Sequence, residues 1–127
     1  SCLCNYLTKI KIKNYSANKF RKIMEKIDRL LSFLEENPND SFVQHALALE
    51  YMKVDDLIAA HQVLRDLLNA NPDYVGSYYH LGKLYERMGE QQEAIDVYEF
   101  GMAKAKEHGD NHAFNELKSA WEELSDL

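Results

Sequence analysis

The sequence has little of what bends or staples a chain. Two prolines and five glycines in 127 residues leave few turns, which excludes a turn-rich β fold and favours helices. The two cysteines, Cys2 and Cys4, have a single residue between them, so they cannot tie distant parts of a fold together. Zinc would need two further ligands beside them, and they read as free thiols in a reducing cytoplasm. No apolar run approaches the roughly 18 residues of a membrane span. No apolar stretch with a cleavage site follows the basic residues near the start, so no signal peptide is read here.

The motifs of catalysis are equally scarce. Neither GxGxxG nor GxxxxGK[ST] occurs, so no phosphate-cradling loop is expected. The serines lack a nucleophile-elbow sequence. Five histidines are present, and His108 and His112 have the i, i+4 spacing of a helical metal pair, but Gly109-Asp110 between them breaks the helix that would align them. The expectation is a protein without enzyme activity, cofactor or metal, whose many carboxylates line solvated helix faces.

Charge is unevenly placed. Residues 1–23 hold six of the fifteen Lys and Arg and no acid, whereas 24–127 carry nine basic and twenty-one acidic residues, a formal charge of −12. A body that acidic is not expected to bind nucleic acid, which requires a basic surface. The sharp change at Met24 supports one reading in which Met24 is the native start and 1–23 is translated upstream sequence. The helical period running back through Phe20 supports the other.

What the chain does have is a period. Asn37-Pro38 recurs as Asn71-Pro72 thirty-four residues later, and at that offset Leu47 meets Leu81, Tyr51 meets Tyr85, Ala60 meets Ala94 and Ala48 meets Gly82. Each unit reads as two helices. Tyr78, Leu81, Gly82 and Tyr85 form one helical stripe, Ala94, Val97, Tyr98 and Gly101 the next, with Gly89 suited to close the first helix. Asp55 and Asp56 occupy the equivalent turn of the earlier unit, where an aspartate can cap the following helix. Gly82 is expected where two helices cross closely.

The pattern Tyr78-x2-Leu81-Gly82-x2-Tyr85 followed by Ala94-x3-Tyr98 resembles the tetratricopeptide repeat, and so does the earlier unit, Gln44-x2-Leu47-Ala48-x2-Tyr51 with Ala60 and a closing Pro72. Gln44 departs from it, being polar at a usually bulky site. Lys106 also departs, replacing the closing proline and extending the last repeat helix to about Glu107. The resemblance implies an all-α fold, with antiparallel helix hairpins stacked as a short right-handed superhelix, like short two-repeat bacterial proteins of that family. Its parts are expected at 24–37 (a capping half-repeat), 41–74 (repeat 1), 75–108 (repeat 2) and 111–125 (a C-terminal capping helix with Trp121 as core anchor).

One position after each core stripe runs a second one: His45, Leu49 and Met52 in the first unit, Tyr79, Lys83 and Glu86 in the second. Both have i, i+4, i+7 spacing, with Lys53 and Arg87 beside them. The resemblance implies that this side of each repeat's first helix lines a concave groove for a protein or peptide segment, its cations suiting an acidic or carboxylate-bearing one. Lysine and asparagine of the family's chaperone-tail clamp are replaced by His45 and Leu49, so chaperone tails are not expected as ligands. The competing expectation is a homo-oligomer formed through the exposed ends of the repeat stack. Neither reading involves nucleic acid or membrane.

Overall fold

The structure, a computed structural model, describes residues 16–125. Cys2, Cys4 and most of the basic segment lie outside them. The described residues form α1 (Ala17–Glu36), α2 (Ser41–Lys53), α3 (Leu57–Ala70), α4 (Gly76–Arg87), α5 (Gln91–Glu107) and α6 (Asn111–Ser125), with no strand among them. The all-α architecture is that expected.

Caps fix where helices begin. Ser16 Oγ accepts from Lys19 N at 3.2 Å and starts α1 seven residues ahead of Met24, so a single helix runs across the compositional break. Asp40, Asp56 and Asp110 cap α2, α3 and α6, accepting from Val43 N at 3.0 Å, Ala59 N at 3.2 Å and Ala113 N at 3.0 Å. Each such cap contributes about 1 kcal/mol. The turns that end α2, α4 and α5 each pass through a left-handed residue: Asp55 at φ +58°, Gly89 at +78° and Gly109 at +68°.

Two compact units divide the chain at Val63 and Leu64. In the first, α1 packs on α2 around Ile23, Ile27, Leu47 and Val54, with Phe20, Met24, Leu30, Leu34, Tyr51 and Val63 half-buried against them. Glu50 lies within this packing at 3% exposure, which corrects the expectation that the carboxylates are all solvated. Its Oε1 receives Lys26 Nζ from α1 and Lys53 Nζ from its own helix, both at 2.9 Å. Burial raises the Glu50 carboxyl, but the hydrogen bonds from Lys53 and Lys26 outweigh it and hold the pKa below its ordinary 4.5.

In the second unit α5 packs against both α4 and α6. The α4–α5 contact is reciprocal. A Cβ at Gly82 would lie 2.1 Å from Cε1 of Tyr98, and one at Gly101 would lie 2.6 Å from Cβ of Tyr78. Each helix therefore supplies a recess for the other's tyrosine, which is how Gly82 comes to sit in a helix interior at a propensity cost of about 1 kcal/mol. On α6, Leu117 and Ala120 are buried, whereas Trp121 is half-buried and donates its indole N–H to Glu99 at 3.0 Å. Asp73, ahead of α4, is tied to the end of α5 by Lys104 Nζ at 3.3 Å and His108 Nε2 at 3.0 Å.

Gln44 also finds its reason. Its Nε2 donates to the Pro38 carbonyl at 3.2 Å, and thirty-four residues on, the Tyr78 hydroxyl donates to the Pro72 carbonyl at 2.6 Å. Proline cannot donate in these turns, and in both repeats the side chain six residues later fastens its carbonyl instead.

Candidate functional site

The α4 face is built from underneath. Tyr98 of α5 is fully buried in the Gly82 recess, and its hydroxyl donates to Glu86 Oε2. Burial first, and then that bond to a carboxylate, push the Tyr98 phenol well above its ordinary range, so it remains a neutral donor. Glu86 also receives Lys83 Nζ at 3.4 Å. Lys83 in turn lies 5.7 Å from the centroid of the Tyr79 ring, a cation–π distance. Tyr79 stands 6.5 Å from the Tyr98 ring and edge-on to His80 at 5.4 Å. Burial lowers the pKa of His80.

Tyr79, Lys83 and Glu86 are therefore one half-buried, interlinked group, and Arg87 is exposed one residue beyond it. With Glu86 held by Tyr98 and Lys83, the accessible chemistry is an aromatic edge beside two cations. This combination is chemically suited to an apolar group next to an anionic one.

On α2, His45, Leu49 and Met52 are half-buried along one stripe. Lys53 is exposed, and its amine is engaged by Glu50 at 2.9 Å. The first unit thus presents an apolar and polarisable strip, with its cation drawn toward the α1–α2 packing. The repeat-signature residues lie mostly within the packing. Leu47, Ala48, Ala60, Tyr78, Leu81, Gly82 and Ala94 are buried, Tyr51 and Tyr85 are half-buried, and Pro72 is exposed with its carbonyl bonded to Tyr78.

Sequence reasoning missed Tyr98 as the support beneath Tyr79 and Glu86. The available signal was the pairing of two helix-interior glycines, Gly82 and Gly101, with two large aromatics on the opposite stripes. Among the described residues, no three His, Cys, Asp or Glu groups converge on a metal-sized site, and no helix is long and apolar enough to cross a membrane.

Comparison with known proteins agrees with the helical fold. A family model described as a tetratricopeptide repeat matches residues 75–99, the span from the start of α4 through most of the Tyr98 stripe. The chain is similar to the tetratricopeptide repeat domain protein of Salinibacter ruber. That protein's crystal structure is 42% identical over 69% of this chain and 98% of that one, with a TM-score of 0.67. Its solution structure is 42% identical over 71% and 91%, with a TM-score of 0.68. The solution structure of a protein from Bordetella parapertussis is 26% identical over 79% of this chain and 87% of that one, with a TM-score of 0.70. No curated protein matches the chain.

Proposed function

The chain belongs to the tetratricopeptide repeat family, and from that premise we propose that it is a non-enzymatic protein-interaction module acting in the cytoplasm. A partner segment is read by the Tyr79, Lys83 and Arg87 side of α4, and the His45, Leu49 and Met52 strip of α2 is a separate surface of the same kind on the first unit. The observation that carries this reading is the Tyr79–Lys83 pair, 5.7 Å apart and half-buried, braced from below by Tyr98 through Glu86. A braced aromatic beside a cation loses little side-chain entropy on binding, which favours recognition over a merely solvated face. The segment it fits carries an apolar side chain followed by a carboxylate.

A strip this short supports about micromolar affinity, roughly −8 kcal/mol. The test is capture from a lysate of the source cell with wild type beside Tyr79→Ala and Lys83→Gln variants of matched thermal stability, followed by titration of the captured segment as a synthetic peptide. Binding by wild type that weakens at least about tenfold in each variant supports the proposal. Equal binding by all three proteins removes this face as the site.

A further inference from the structure

A second surface lies away from the Tyr79–Lys83 face. In the second unit a cleft of about 340 Å³ opens between α3 and α5. Tyr78 and Leu81 of α4 form its floor, and Leu68 of α3 and Phe100 of α5 its walls. Phe100 is 53% exposed and contacts the Tyr78 ring at 5.6 Å, so a large aromatic stands half in solvent at the edge of an apolar hollow. Arg65 on the α3 side and Asp96 on the α5 side complete the rim. Arg65 makes no hydrogen bond or ion pair among the described residues, and Asp96 accepts only from Gln92, at 3.0 Å.

We propose that this face is a self-association surface whose occupant is a second copy of the chain. A two-fold interface requires a patch complementary to itself, and this one carries both halves of each match: an exposed aromatic on the α5 side with an apolar α3 wall across from it, and a cation without a partner among the described residues on the α3 side with a carboxylate on the α5 side. A two-fold axis along the cleft sets α3 of one copy on α5 of the other. Arg65 of each copy then meets Asp96 of the other, and Phe100 of each is covered by the opposing α3 wall. An acidic partner would repel Asp96 and a basic one Arg65, whereas a second copy satisfies both. The surface is the flank of the α4–α5 hairpin, distinct from the ends of the repeat stack, and the proposal does not depend on the peptide-binding reading.

Sedimentation velocity across a concentration series tests it with a charge swap. Wild type is expected to shift from monomer toward dimer as concentration rises. Arg65→Asp and Asp96→Arg, each placing like charges together, weaken this about tenfold or more. The double variant Arg65→Asp/Asp96→Arg restores it, and Phe100→Ala abolishes it while the thermal melt stays cooperative. Rim charges and an exposed Phe100 contribute little to folding, so the variants remain testable. Wild type that stays monomeric up to near-millimolar concentration overturns the proposal. So does a dimer that is indifferent to Phe100→Ala, or single swaps that the double variant does not rescue.

Discussion

Gly82 and Tyr98 show how one atom decides a packing. With its Cβ placed 2.1 Å from the Tyr98 ring, Gly82→Ala gains about 1 kcal/mol of helix propensity but forces α4 and α5 apart, at a cost of about 1–3 kcal/mol. Net destabilisation is expected in urea melts. Adding Tyr98→Leu should recover part of it, a coupling a double-mutant cycle will detect. Glu50 makes the opposite point. Its counterpart thirty-four residues on is the buried Leu84. Glu50→Leu removes a buried charge whose two lysine partners are half-exposed and can return to water. Stability should hold or rise by about 1–4 kcal/mol. Glu50→Ala leaves a void and should lower it.

At the scale of the element, the helices were legible because their buried residues recur with helical spacing and their turns carry Asn-Pro, Asp or Gly. The start of α1 was obscured: its cap, Ser16, sits in a segment whose composition reads as foreign to the rest. The ion cluster at Glu50 was illegible for a different reason, since Lys26 lies twenty-four residues away on another helix and nothing local marks the pair. The α4 face was readable as a stripe, but its bracing by Tyr98 depends on how deeply Gly82 lets α5 approach. The α3–α5 cleft belongs to three helices at once and to the periodicity of none. Two element-level outcomes follow. Gly89→Ala puts a Cβ on a residue at φ +78° and should cost about 1–2 kcal/mol in melts followed by circular dichroism, without altering the helical content of the folded protein. Tyr78→Phe releases the Pro72 carbonyl from its 2.6 Å bond and should cost about 1 kcal/mol in the same assay.

For the molecule as a whole, the titrating groups define a stability dome. His80 is held below its ordinary 6.5 by burial, so its contribution is complete above that pH and is lost as pH falls through the lower folded value. Glu50, held below 4.5, adds a second loss in stronger acid with the same sign. Tyr98, raised by burial and by Glu86, acts at the other end: its contribution is intact below pH 10 and declines as the solution becomes more alkaline. Urea midpoints between pH 4 and 11 should therefore peak near neutrality, and His80→Gln should flatten the descent that begins below pH 6.5.

The meeting of tyrosine and glycine has a further consequence, for inheritance. Where the second repeat carries Gly82, Tyr98, Gly101 and Tyr78, the positions thirty-four residues earlier carry Ala48, Leu64, Leu67 and Gln44. The period therefore preserves the helices but not the residues of the tyrosine–glycine contact. Any helix exchanged for α4 that brought a Cβ to the Gly82 position would collide with the Tyr98 ring, so α4 and α5 are expected to pass between genes only as a pair.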